Sequence, residues 1–436
     1  MSHNFQRLAL CLFVSVLYGC SSAGDYLSSI NPFASREERL QGERRPILTP
    51  DPSSQAPTPS QVRPVTVSSP VTMQNWPNPG GPSNNAPPNI AIGSGGAIVW
   101  KASNEGAMRA IAPPLISNGF VFLYDGRHVS AFNLNSGKRV WSVNAPAKAP
   151  KAVVPGGGIA TDGHAIYVAS SLRLLAAFDA NSGQQLWSVE LTDPARSAPT
   201  IADGRIYVVS AVGVVSAHST SNGAELWRYA SPAQSGGLLT ASSPAVYGKL
   251  AVVPFSSGEL VALDAASGAP LWSSSLLSAQ PVSGVTSLTD VAARPVISGG
   301  IIYAGGVAGR FMALKSTDGS KVWEQTIATG FAPVVAGNGV FVLGLTGDLY
   351  AFDNNTGEVR WSLKLPKGEG RTTWAGLVLA NSSLWLVSNQ GMLLGVDAGT
   401  GLIVSQQNIK EGSILSPIAA DGKLIIATLN GSIIAL

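Results

Sequence analysis

One eleven-residue motif recurs along the chain, and it limits what the chain can fold into more than any other feature. It reads AFNLNSGKRVW at 131–141, AFDANSGQQLW at 177–187, AHSTSNGAELW at 217–227, ALDAASGAPLW at 262–272, ALKSTDGSKVW at 313–323 and AFDNNTGEVRW at 351–361. A degenerate copy, GVDAGTGLIVS, follows at 395–405. The closing positions are 46, 40, 45, 51, 38 and 44 residues apart. Repeats of about 40–50 residues are the size of one β-propeller blade.

Each part of the motif has a physical task. The apolar pair ends a buried strand, and the Asp or Asn bonds its own backbone in an Asx turn. The glycine supplies a positive φ. The tryptophan opens the next strand and offers a large apolar plate to the neighbouring blade. Upstream of the copies stand Asp-Gly or Asn-Gly pairs followed by β-formers, as at Asp203-Gly204 before RIYVVS and Asn338-Gly339 before VFVLG. These read as hairpins within a blade.

The two ends of the repeat region complement each other. The sequence closes on GSIIAL at 431–436, where a fourth strand is due, and GAIVW at 96–100 carries the same Gly-x-x-x-Trp spacing. An N-terminal strand is therefore expected to complete the last blade. Counting Trp100 with the seven later positions gives an all-β, eight-bladed propeller of four-stranded antiparallel blades. Closure removes the two end edges of an open array. An open solenoid or a pair of sandwiches is disfavoured because no copy looks like a capping repeat.

Composition agrees with many short buried strands. The chain has 48 glycines, 45% apolar and only 12% charged residues. Its net charge of +3 is spread out, with no basic stripe and interleaved aromatics, which argues against nucleic acid as a partner. The two cysteines, Cys11 and Cys20, lie in the first twenty residues, so no disulfide framework or thiolate metal site is expected in the repeat region.

Arg7 precedes an apolar run at 8–19 that is too short for a membrane-spanning helix and fits a secretory signal. It ends in Leu17-Tyr18-Gly19-Cys20, which resembles a bacterial lipobox, with Tyr18 larger than the usual residue. The resemblance implies acylation of Cys20 and, because Ser21 is not the inner-membrane aspartate, a place on the periplasmic face of the outer membrane. The expected organisation is a signal peptide at 1–19, lipidated Cys20 on a disordered tether to residue 95, and the propeller at 96–436. Twelve prolines fall between Pro46 and Pro88. As a coil, about 75 residues would span roughly 50 Å root-mean-square. The charge run REERLQGERR at 36–45 reads as a solvated stretch. Trp76, alone among prolines, reads as a clamp that docks on the domain surface.

No catalytic constellation stands out. His128, His164 and His218 lie in or beside repeat strands and read as surface or edge residues. Metalloprotease, nucleophile-elbow and phosphate-loop motifs are absent. PGGG at 155–158 precedes a strand and reads as a loop rather than a phosphate cradle. Asp179, Asp264, Asp353 and Asp397 occupy the same repeat position, which marks them as turn residues rather than an acid–base pair. No cofactor, metal or catalytic residue is expected.

The motif A-h-D-x-x-[ST]-G-x-x-x-W resembles the repeats of quinoprotein propellers, which include quinone-dependent dehydrogenases and the BamB family of non-catalytic outer-membrane assembly lipoproteins. The dehydrogenases are longer, and many stack a vicinal cysteine pair on the quinone; here no cysteine follows Cys20. The lipobox, a single propeller and SLTDVAARPVISGGIIYAGG at 287–306 resemble the BamB family more closely. That resemblance implies membership of the β-barrel assembly (Bam) complex, binding to the POTRA domains of BamA, and help for nascent outer-membrane proteins. The family's partner loops map onto Gly237, Leu238, Leu239 and Thr240, and onto Leu288, Thr289 and Asp290. The family's arginine in the first loop has no counterpart, Leu239 standing near it, and an acidic position of the second reads Ala292. These stretches belong to the longest connections between repeats, where binding is commonly built. A quinone-dependent dehydrogenase and a glycan- or peptidoglycan-binding propeller remain the alternatives.

Overall fold

A computed structural model describes residues 63–93, 96–103, 112–145, 156–231, 242–277 and 293–436. All lie in the second of two compact units, which divide between Pro50 and Asp51. The described residues form strands and no helix.

The first blade shows how sequence becomes strand. Leu115–Ser117 is its inner strand, followed by Phe120–Tyr124, His128–Asn133 and the outer strand Arg139–Asn144. The second and third strands are buried along nearly their whole length, because neighbouring blades cover both of their faces. That is why they read as unbroken apolar runs rather than alternating ones. The outer strand alternates between exposed and half-buried positions.

This meander recurs to give eight four-stranded sheets. Blades 1 to 7 occupy 115–144, 157–190, 200–230, 245–275, 296–325, 334–364 and 374–408. Blade 8 combines Ile418–Ala420, Lys423–Ala427 and Ser432–Ala435 with Trp100–Ser103. Trp100 pairs with Ala435 and Ser103 with Ser432, so the N-terminal strand closes the ring as its spacing predicts. An eight-bladed, all-β propeller is therefore what the repeat encodes.

The register explains the motif. Phe122, Ala131 and Trp141 lie side by side across strands two to four, and the small alanine lets the two rings meet at 5.9 Å. A bulge follows Ala131 and the corresponding alanines of blades 2 to 6. Asp179 Oδ1 accepts the N–H groups of Asn181 and Ser182, the expected Asx turn.

The tryptophan reaches across to the next blade. Seven indole N–H groups, from Trp100 to Trp361, donate to a backbone carbonyl there at 2.8–3.2 Å. Each ring lies on the motif glycine of that blade: Gly137, Gly183, Gly223, Gly268, Gly319, Gly357 and Gly401. A Cβ at any of them would come closer than 3.0 Å to the ring.

The eighth junction is built differently. Ser405 stands in the tryptophan position, and Trp385 occupies the place of Phe122 in its own blade. Gly395, in place of the alanine between them, leaves room for the Trp385 ring to extend toward Gly96. The degenerate copy has thus moved its indole two strands inward.

Residues 63–93, which composition assigns to the tether, are part of the folded body. They form a strap that hydrogen-bonds to all eight blades. Val65 N–H donates to Gly399 and Asn338 N–H to Thr66, on blades 7 and 6. Met73 and Gly93 bond Asp421 and Gly422 on blade 8, and Trp76 exchanges both backbone bonds with Ile116 on blade 1. Pro77 and Asn78 accept from Thr161 and Ile201, and Ser83 and Asn84 accept from Val246 and Ile297, which adds blades 2 to 5. Val65, Trp76 and Ile90 are buried, so Trp76 does dock as its isolation suggests. The blade 6 turn is shaped for the strap, since a Cβ on Gly337 would overlap the Thr66 carbonyl.

The strap defines two faces. It lies where strands one and two turn, alongside the Asx turns between strands three and four. The opposite face, here the loop face, carries the turns between strands two and three and the described ends at which the connections from blade to blade leave and return.

A candidate partner-binding face

The two stretches singled out from sequence leave from and return to the loop face. Leu238, Leu239, Thr240, Leu288 and Asp290 lie outside the described residues, as do Cys20 and the 36–45 charge run. The structure does describe the roots from which those stretches leave and return.

The four roots are held by hydrogen bonds. Ser231 leaves blade 3, with its N–H donating to Gly213 O at 3.0 Å and its hydroxyl to Glu259 of blade 4 at 3.1 Å. Ser242 and Ser243 lead back into blade 4, and Ser243 Oγ donates to Ala198 O at 2.8 Å. Leu277 leaves blade 4, and its carbonyl accepts from Arg310 Nη1 at 3.0 Å. Ala293 returns to blade 5. Ser242 Oγ donates to Ala293 O at 2.9 Å, so the end of the first stretch is tied to the end of the second.

Charged side chains of blades 2, 3 and 5 are paired within their own blades. Arg310 pairs with Glu324 at 2.7 Å, Arg228 with Glu225 at 2.9 Å and Arg173 with Glu190 at 3.1 Å. Arg310 holds the Glu324 carboxyl below its ordinary range. Arg294, directly after Ala293, differs: its Nε is shut off from solvent without a hydrogen-bond partner among the described residues. Burial alone pulls its guanidinium down to about 10. Sequence reading passed over Arg294 because a lone arginine before a Pro-led strand carries no motif.

The histidines divide. His164 is exposed, and His128 Nδ1 meets Asp125 Oδ2 at 3.0 Å. His218 is buried, which corrects its assignment to a surface or edge. It stands where Phe132 and Phe178 stand in their blades, in a core position of the repeat. Ser216 Oγ lies 2.9 Å from its Nε2, and Nδ1 lies 3.0 Å from Gly223 O. This resembles a nucleophile–base pair, but it is enclosed between strands and its third member is a peptide carbonyl. Burial lowers the His218 pKa.

The repeated aspartates serve the turns, as expected. The Ser182 and Ser267 hydrogen bonds hold the Asp179 and Asp264 carboxyls below their ordinary range. Gly157 and Gly158, read as loop, belong to the inner strand Gly157–Thr161. A Cβ on Gly158 would overlap Ala198 of blade 3, so the strand needs glycine there. Among the described residues no cluster of three or more His, Cys, Asp or Glu could hold a metal ion, and no helix is long and apolar enough to cross a membrane.

Comparison with known proteins places this architecture. The solved structure of BamB from Moraxella catarrhalis superposes with a TM-score of 0.66 at 20% identity, covering 78% of this chain and 98% of that one. Quinohemoprotein alcohol dehydrogenase from Comamonas testosteroni superposes with a TM-score of 0.61 at 13% identity, covering 83% and 80%, and shares the fold alone. The outer membrane protein assembly factor BamB of Salmonella typhimurium is 28% identical over 347 residues, which is 78% of this chain and 88% of that one. The family described as outer membrane protein assembly factor BamB matches at residues 89–154, 125–363 and 325–436, and with most of its length covered the chain belongs to that family.

Proposed function

We propose that this chain is a non-catalytic scaffold lipoprotein of the outer-membrane β-barrel assembly complex. It is held at the periplasmic face of the outer membrane by lipid on Cys20 and docks on the POTRA domains of BamA. The names of its relatives and the lipobox support the placement. The observation that carries the docking surface is the Ser242–Ala293 hydrogen bond. It makes one rigid base for two long connections on the face that the strap leaves open. Leu238, Leu239 and Thr240 on one connection, with Leu288 and Asp290 on the other, would present an aliphatic surface and one carboxylate.

A second element is help for nascent barrel strands. Outer blade strands have one unpaired edge, and the residue before the tryptophan is an exposed aliphatic in blades 1 to 5: Val140, Leu186, Leu226, Leu271 and Val322. An extended apolar segment can add to such an edge by main-chain pairing.

Co-purification from crosslinked membranes tests the reading. BamA is expected in the eluate and is expected to be lost when Leu238, Leu239 and Asp290 are replaced together. An eluate of the wild-type chain without BamA refutes the assignment.

A further inference from the structure

Arg294 stands directly beside the hydrogen bond between the two loop roots. Arg294 follows Ala293, whose carbonyl is held by Ser242, and precedes Pro295, whose carbonyl accepts Asn85 Nδ2 of the strap at 2.9 Å. Its backbone is therefore pinned from blade 4 on one side and from the strap on the other. The residue is partly exposed, yet its Nε is sealed from water with no hydrogen-bond partner among the described residues. Burial is the one cause that shifts its pKa, with no neighbouring charge contributing.

That state is costly for a guanidinium. A cation withdrawn from water is destabilising unless an anion pairs with it, and arginine's planar fork suits a carboxylate. Arg310, Arg228 and Arg173 already have their carboxylates within the chain. Arg294 has no such carboxylate among the described residues, and its backbone is held beside the tied ends of the two connections.

We propose that Arg294 is the charged anchor of this surface and receives a carboxylate side chain, Asp or Glu, from the partner protein. The proposal rests on the reading of the loop face as the BamA-binding surface. It adds a positive centre to a surface whose loop residues are aliphatic or acidic.

Affinity of the purified full chain for immobilised POTRA domains tests it, measured at low and high salt beside the melting temperature. Arg294→Gln is expected to weaken binding on the order of tenfold to a hundredfold and to flatten its salt dependence. Its melting temperature should match or exceed that of the wild type, because an unpaired cation has gone. Arg294→Lys keeps the charge without the fork and is expected to bind at least about fivefold more weakly. An Arg294→Gln chain that binds as tightly as the wild type overturns the proposal. If Arg294→Gln melts early, the lysine variant decides, and full affinity there overturns it too. A wild-type chain that does not bind POTRA domains removes the partner reading itself, and this proposal with it.

Discussion

The indole of Trp361 lies against the α-carbon of Gly401 on the next blade, so closely that a Cβ there would sit 2.6 Å from the ring. The same glycine holds φ at +76°, and the indole N–H reaches the carbonyl of Ala398 at 3.1 Å. One residue thus makes the turn and receives the neighbour's plate. Seven of the eight blades pass a tryptophan forward in this way, and blade 7 extends Trp385 toward Gly96 instead, so a contact of an indole with a glycine links each blade to the next around the ring.

Gly401→Ala should therefore be destabilising for two reasons. The left-handed backbone costs about 1–2 kcal/mol and the overpacked ring about 1–3 kcal/mol more. Gly119 has the same φ of +76° with nothing within 4 Å, so Gly119→Ala should show the backbone cost alone. Denaturant unfolding of the two variants separates the terms; equal losses would show that the ring contact contributes nothing.

The strap predicts where the folded body begins. Trp76→Ala should cost about 3–5 kcal/mol, as for other fully buried tryptophans. Deleting residues 1–93 should lower the denaturation midpoint far more than deleting residues 1–62. Equal midpoints for the two truncations would show that the strap is only laid on the surface.

His218 predicts an acid-sensitive component of stability. Burial lowers its folded pKa below the ordinary 6.5, so the unfolded chain binds the proton more readily. Its contribution is complete above that value and is lost as pH falls through 6.5 toward the folded pKa. His218→Phe, which copies Phe132 and Phe178, should flatten the stability profile between about pH 7 and 5. A variant with an unchanged slope would place the proton elsewhere.

Closure of blade 8 has its own ion pair. Glu411, nearly buried, pairs with Lys101 on the closing strand and accepts from Thr428 Oγ1 at 2.8 Å. Burial opposes the Glu411 charge, but these partners prevail and hold its pKa below 4.5. Its stabilisation is therefore present above 4.5 and fades as pH falls through the lower folded value. Glu411→Gln should cost roughly 1 kcal/mol at neutral pH, because Lys101 is half exposed, and nothing in strong acid. Unfolding measured at both pH values checks this.

Much of this fold was legible because the Gly-x-x-x-Trp spacing records two structural needs at once, a turn and a plate for the adjoining blade. Gly96 and Trp100 could be matched to the missing strand for that reason. The strap was not legible: Ile90 and Ile92 meet the blades, and Val71 meets Ile90, through isolated bridges, which leave no period of two. Trp385 was overlooked because the indole moved along the blade while the motif position kept Ser405. The histidine at 218 hid in a phenylalanine position. Of the candidate site, sequence gave the loops by their length, while the Ser242–Ala293 tie depends on residues 51 positions apart that only the propeller brings together.

Photocrosslinking in living cells tests the central claim most directly. A photoreactive residue is placed at Leu239 on the loop face or at Tyr247, which is 66% exposed at a turn of the strap face. The account predicts a BamA adduct from position 239 and none from 247. An adduct from 247 with none from 239 would contradict it.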